Sequence, residues 1–565
     1  MSGHECSGAT RNAAQSIAPR SMFPLRQAWT SGVPSPGVQL SDWFLTAAER
    51  GNPDTSIDAR HPDPWTTGNE CRVLVHGATY FARLAEELAG TSAGDTVLFT
   101  DWRGDPDELL AGPGTEIATV LAAAAQRGVA LRGLLWRSHP GLIHFSERQN
   151  VRLVDIVNEA GGEAFVDERV RRGGSHHQKL VIIRRGPSDD RPDVAFTGGI
   201  DLSHGRHDDR RHEGDPQAIE IDERYGPRPA WHDAQLEVRG PAIGDLEHAF
   251  RERWNDPEPV VKRSWGRVLA KAAAEDHNPR PLPPQRSDPE AAGPHAVQVL
   301  RTYPARRPKY SFATRGERSI ARTYMKAFQR ARTLIYIEDQ YLWCVDAARV
   351  LATALKEQPD LRLVVVVPAF PDEDGRISGP ANRISQLRVL SKLAEAGGDR
   401  FAAYNLERSD GLPIYVHAKI CIVDDTWMVT GSDNFNRRSW THDSELTLAI
   451  LDETVDDRAP LDPGGFGDMA RTLPRSTRLE LWAEHLERDD APVDLAEGFA
   501  VLGESADNLD RWYASGRVGP RPVGRLRRHR PAPVKWWATP AAEAFYRIVS
   551  DPDGRPLSMR IRRIH

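Results

Sequence analysis

His177-Gln178-Lys179-Leu180-Val181-Ile182-Ile183 and His417-Ala418-Lys419-Ile420-Cys421-Ile422-Val423-Asp424 are two copies of one pattern, His-x-Lys followed by an unbroken apolar run. An apolar run of this length, rich in β-branched residues, reads as a buried strand. Each copy is followed by a glycine turn: Thr197-Gly198-Gly199-Ile200-Asp201 in the first and Thr430-Gly431-Ser432-Asp433-Asn434 in the second. The link between strand and turn is longer in the first copy, where Arg185 to Asp193 is polar and reads as a surface loop.

Working outward, the same order of elements precedes both copies. A helical pattern from Tyr80 to Leu88 leads to the strand Val97 to Asp101, then a helix from Thr115 to Gln126 and a strand from Leu131 to Leu135. In the second half the helix Ser319 to Ala331, strand Leu334 to Glu338, helix Ala347 to Lys356 and strand Leu361 to Val367 repeat it. Alternating helical and strand periods imply an α/β fold with a largely parallel sheet in each half. The expected architecture is two similar α/β/α lobes related by a pseudo-two-fold, with a mixed, largely parallel sheet in each and the site at their interface.

Six prolines between His277 and Pro294 mark a boundary between the halves. The expected division is an extension over 1–68, a first lobe over 69–262, a linker over 263–296, a second lobe over 297–490 and a C-terminal extension over 491–565. That last segment holds a basic run, Arg517 to Arg530, read as a solvated tail, and then Trp536-Trp537.

Composition narrows the function classes. The 565 residues are 39% hydrophobic and 27% charged with a net charge of −6, as in an ordinary water-soluble protein and unlike one that coats nucleic acid. Cys6, Cys71, Cys344 and Cys421 form no metal or disulfide pattern. The start lacks the apolar core of a secretory signal, and no apolar stretch approaches the ~20 residues of a membrane span. The expected location is cytoplasmic, with peripheral contact at a membrane surface.

Two His-Lys pairs suit attack on a phosphodiester. One imidazole attacks phosphorus, the other protonates the leaving oxygen and later deprotonates water or an alcohol, and the lysines neutralise the phosphate oxygens. The alternation of an extended chain puts His and Lys of each motif on one face. Ser432 and Asn434 add neutral donors. No cofactor or metal is called for; the spacing of His204, His207 and His212 fits no common metal site.

These residues resemble the phospholipase D superfamily, whose signature is H-x-K-x4-D followed by G-S-x-N. The second copy matches in full through His417, Lys419, Asp424, Gly431, Ser432 and Asn434, and Asp443-Ser444-Glu445 resembles the family's D-S-E segment. The first copy has Arg184 for the Asp and Gly198-Gly199-Ile200-Asp201 for the turn. That form, with Trp231-His232-Asp233 and Ile337-Glu338-Asp339-Gln340-Tyr341, is similar to the eukaryotic-type phospholipases D.

The resemblance implies hydrolysis or headgroup exchange of glycerophospholipids through a phosphohistidine, with water or an alcohol as acceptor. It implies His177 as nucleophile, His417 as general acid and base, Lys179, Lys419, Asp424, Asn434 and Glu445 as further catalytic residues, and Gly199, Asp201, Gly431 and Ser432 as substrate contacts. A nucleic-acid phosphodiesterase of the same superfamily, disfavoured by the acidic balance, and a binding or scaffold protein with a decayed site are the alternatives.

Overall fold

The apolar runs after the two lysines form the central strands of two sheets. In the computed structural model, residues 38–138, 147–260, 279–371, 378–531 and 545–562 are described; Cys6, Trp536, Trp537 and linker residues 263–278 lie outside them. The first half contributes β1 (Thr66–Val75), β2 (Thr96–Asp101), β3 (Ala130–Trp136), β4 (Glu163–Asp167), β5 (Leu180–Arg184), β6 (Val194–Gly198), β7 (Ala230–His232) and β8 (Ala234–Arg239). The second contributes β9 (His295–Tyr303), β10 (Glu317–Arg318), β11 (Leu334–Glu338), β12 (Arg362–Val366), β13 (Phe401–Glu407), β14 (Pro413–Val416), β15 (Ile420–Val423), β16 (Trp427–Gly431), β17 (Glu445–Asp452) and β18 (Leu526–Arg528).

The two sheets have the same strand order. The first runs β4-β3-β2-β5-β6-β8-β1. The second runs β13-β12-β11-β15-β16-β17-β9. β5 and β15, which carry the apolar runs, occupy the centre of each and are buried along their whole length. At ~1.5–3 kcal/mol for each buried Val, Leu or Ile, they anchor whatever precedes them.

The sheets are mixed as expected, but their largely parallel character needs correction. Each has two parallel pairings, between the strands joined by crossover helices, and four antiparallel ones. Part of the reason is local: the links from Arg184 to Val194 and from Val423 to Trp427 are too short for the crossover that parallel neighbours need.

Among the described residues, two pairings of named strands join the sheets. β1 meets β9, pairing Thr66 with Val297, and β7 lies parallel to β14, pairing Trp231 with Tyr415. Val38 onward forms one compact unit. Accordingly, parts of both expected extensions belong to the fold. Trp43, Phe44 and Leu45 are buried in the second-half core, with Trp43 stacked 6.2 Å from Trp427. The basic run is also integrated: β18 pairs with β13, and Arg527 and Arg528 form ion pairs with Asp510 and Asp507 of the helix Leu495–Ala514. Those carboxylates, well separated in sequence from the run, are why a solvated tail was the wrong expectation.

Candidate active site

Each His-x-Lys motif sits in extended chain just ahead of its central strand, and each is paired with the other half. The amide of His177 donates to the carbonyl of Ser444 (2.9 Å), and that of Ser444 donates to Ser175 (3.0 Å). Reciprocally, the amides of His417 and Ala418 donate to the carbonyl of His232 (2.7 and 3.1 Å). Ser444 precedes β17 and His232 precedes β8, which are equivalent strands of the two sheets. The crossing is therefore reciprocal.

The side chains repeat it. Nδ1 of His177 lies 2.9 Å from Oε2 of Glu445, and Nδ1 of His417 lies 2.6 Å from Oδ2 of Asp233. A carboxylate at Nδ1 fixes the proton there and leaves Nε2 as the reactive nitrogen. Asp233 was not among the expected catalytic residues, although its motif was seen. The signal that finds it is positional: it precedes β8 as Glu445 begins β17.

The lysines are held differently. Nζ of each donates to the carbonyl of its own histidine, at 3.1 Å for Lys179 and closely for Lys419. Lys179 also forms an ion pair with Asp201 at 3.1 Å. Asp201, expected to touch substrate, is buried and is better described as the counter-ion of Lys179, with Arg206 3.6 Å from its other oxygen. Against the burial that would raise it, these cations hold Asp201 well below the usual carboxylate range. Its neighbour Asp101 is held well above that range by burial and by the charge on Asp201.

Asn434 stands at the equivalent place in the second half, and among the described residues no carboxylate forms an ion pair with Lys419 as Asp201 does with Lys179. Burial pushes Lys419 down to about 8, with Lys179 adding repulsion against the attraction of Asp233 and Asp339. His417 is pushed down to about 3 by burial first and by Lys419 second, outweighing Asp233. Burial would raise Asp233, yet His417 and Lys419 bring it to about 2.

Three other expected residues are placed away from the reacting groups. Asp424 ends the strand on the far side from His417, about 20 Å along an extended chain. There its carboxylate accepts the amides of Arg332, Thr333 and Leu334 (2.8, 2.8 and 2.7 Å) and anchors the start of β11. Gly431 lies within the β16–β17 ladder, where a Cβ would come within 2.2 Å of Oγ1 of Thr447. Ser432 donates to Oε2 of Glu445 (2.5 Å) and so braces the brace. Gly199 does border the site: a Cβ there would lie 2.2 Å from Oδ1 of Asp233 and 3.3 Å from Cδ of Lys419.

Aromatic rings flank both imidazoles. Trp102 meets His177 edge-on at 6.1 Å, and Trp231 lies 5.1 Å from His417 with Arg206 stacked 4.0 Å over its ring. His176, beside the expected nucleophile, points elsewhere and contacts Thr100 at 3.0 Å.

Two family profiles match across this geometry: "Phospholipase D" over residues 117–348 and "Cardiolipin synthase, PLD-like domain" over residues 324–459. The chain belongs to the phospholipase D superfamily. Among curated proteins it is 23% identical to phospholipase D alpha 4 of Arabidopsis thaliana, over 76% of this chain and 66% of that protein. It is 24% identical to phospholipase D1 of Saccharomyces cerevisiae (77% of this chain, 30% of that protein) and 24% identical to phospholipase D2 of Bos taurus (70% and 50%). The chain thus spans two thirds or less of the length of these relatives. A solved phosphatidylserine synthase of Haemophilus influenzae aligns with a TM-score of 0.48 at 14% identity, over 68% of this chain and 82% of that one. Among the described residues, no helix is long and apolar enough to cross a membrane.

Proposed function

We propose that this chain is a phospholipase D-type phosphodiesterase that hydrolyses or exchanges glycerophospholipid headgroups through a covalent phosphohistidine. The observation that carries the reading is the reciprocal pair of imidazole–carboxylate contacts, His177 with Glu445 and His417 with Asp233, each built from both halves. The same reciprocity, with the repeated strand order, supports a two-fold relation between the halves and a site between them.

In this mechanism Nε2 of His177, made basic by Glu445 at Nδ1, attacks phosphorus. The bond from phosphorus to the headgroup oxygen breaks, and that oxygen takes a proton from Nε2 of His417. Water or an alcohol then gives its proton back to His417 and attacks phosphorus, and the phosphorus–nitrogen bond breaks. Lys179 and Lys419 stabilise the charge on the non-bridging oxygens throughout.

The choice of nucleophile has support in exposure. The side chain of His177 is 15% exposed and that of His417 6%, so the former is the ring an incoming phosphorus reaches. Burial and Lys419 favour the neutral form of His417. A bound phosphate anion offsets Lys419 and lets His417 acquire the proton that the leaving group needs.

The test is a quenched reaction with headgroup-labelled and acyl-labelled phosphatidylcholine, with and without a primary alcohol. A phosphatidyl-enzyme adduct in the wild type that is lost in His177→Ala, together with a phosphatidyl-alcohol product, is the expected result. Cleavage of nucleic acid with no lipid product would overturn the substrate, and no adduct on any diester would overturn the mechanism.

A further inference from the structure

Behind His417 lies a buried group that the proposed chemistry does not use. His76, His212, His232 and Glu484 are all buried, and each offers a ligand atom within 4.8 Å of the others. Three imidazole nitrogens converge on one carboxylate: Nε2 of His76 at 2.8 Å, Nε2 of His212 at 3.0 Å and Nδ1 of His232 at 3.3 Å from the oxygens of Glu484. The ligand-to-ligand edge of a tetrahedral zinc site is about 3.4 Å for bonds of about 2.0–2.1 Å. The three contacts to Glu484 lie slightly inside that edge and the ligand atoms are nowhere more than 4.8 Å apart, so the group reaches it by small shifts.

Two independent observations point the same way. His76 has φ 67° and ψ 155°, a backbone region that essentially only glycine adopts, and His212 has φ 58°, in the left-handed region. The fold thus holds two of the three imidazoles in unfavourable backbone to bring them together. Moreover, carboxylates stand behind two of the rings. Nε2 of His232 lies 2.7 Å from Glu338, and Nδ1 of His212 lies 3.5 Å from Asp208. A carboxylate on the second nitrogen of an imidazole is the usual support for a metal-binding histidine, fixing its tautomer and raising its basicity. Glu338 is itself held by Tyr336 at 2.5 Å and His485 at 2.7 Å, which makes it the support and Glu484 the ligand. Among the described residues, the guanidinium paired with Glu484 is that of Arg525, at 3.8 Å.

We propose that His76, His212, His232 and Glu484 bind one divalent ion of the zinc class. Three nitrogens and one oxygen suit that ion, and four protein ligands leave no open position, so the site is structural. Its consequence for catalysis is positional. It ties together the chain after β1, the loop before β7, β7 itself and the helix Thr472–His485. His232 is next to Asp233 and accepts the amides of His417 and Ala418, so the ion would fix the corner that orients His417.

The experiment is metal analysis of the full chain, purified without added metal or chelator and then desalted. About one equivalent of zinc per chain is expected. Replacement by Co2+ after exposure to a strong chelator should give the visible absorption of a four-coordinate cobalt site. In Glu338→Gln the zinc affinity should fall about 10–100-fold with the one-to-one stoichiometry kept at saturation. His76→Ala, checked for folding by circular dichroism, should lose the equivalent. A folded wild-type chain that holds no zinc after incubation with excess Zn2+ overturns the proposal. So does a folded His76→Ala variant that binds zinc as tightly as the wild type. Neither readout depends on which diester is cleaved.

Discussion

The two halves place different residues at the same stations of the same sheet, and the differences divide the labour. At the station after the glycine turn the first half has Asp201 and the second Asn434. Lys179 therefore rests in a buried ion pair, while Lys419 is left short of negative charge and is pushed down to about 8. At the station before the next strand the first half has Asp233 and the second Glu445, each reaching across to the other half's histidine. One lysine is permanently satisfied. The other waits for an anion, and that makes it the part of the site most responsive to phosphate.

The largest break in this comparison comes from the braces. Asp233→Asn and Glu445→Gln each remove the acceptor that fixes Nδ1–H, and a loss of about 10⁴-fold in kcat is expected for such a change. Asp233→Asn should be the worse of the two. His417 is already pushed down to about 3 by burial and Lys419, and Asp233 is what opposes them. His177 keeps the neighbouring Ser432 hydroxyl on its side of the site. Single-turnover measurements separate the effects: Glu445→Gln should slow formation of the adduct, whereas Asp233→Asn should slow both formation and breakdown, since in the proposed mechanism His417 acts in both.

A smaller change tests the lysines. On the alkaline side, activity should fall as the pH rises through about 8, because Lys419 loses its proton there. Asn434→Asp gives the second half the first half's counter-ion. The added negative charge raises the proton affinity of Lys419, so the alkaline limb of kcat/KM should move upward. Below pH 8 the same variant should lose about tenfold in kcat/KM, since the site meets phosphate with one positive charge fewer, and each pKa unit corresponds to about 1.4 kcal/mol. An unmoved limb would assign it to another group.

What the sequence disclosed was whatever repeats or is local. The His-x-Lys pairs, the strands after them and the helices before them could be read from two copies of a pattern. The braces were only half legible, because Trp231-His232-Asp233 and Asp443-Ser444-Glu445 share no residue that marks them as equivalent. Only the strand order shows that both lead into matching strands. The histidine group was illegible for another reason. Its members at 76, 212, 232 and 484 come from four separate segments, so spacing drew attention to His204, His207 and His212, of which only His212 belongs to it. The integration of the residues after 491 was hidden likewise, since arginines at 527 and 528 find their carboxylates only once the helix before them has folded back.

The smallest effect on catalysis is expected at the residue that completes the family signature. Asp424 and Arg184 end equivalent strands, yet one is an acid and the other a base. Asp424 accepts three backbone amides at the start of β11, whereas Arg184 meets Asp193 and Glu247 and donates to the carbonyl of Ser287 at 2.6 Å. Either residue satisfies buried groups at the rim of its sheet, and neither faces the reacting atoms. Asp424→Asn should therefore cost about 1–3 kcal/mol of stability, because one amide loses its acceptor in a buried place. Its kcat per folded molecule should stay within about twofold of the wild type, a bound set by Asp424 having no contact with the catalytic groups. Chemical denaturation followed by activity at a temperature well below the transition checks both halves of that statement. A large fall in kcat with unchanged stability would return Asp424 to the catalytic set and break the reading of Arg184 as its structural replacement.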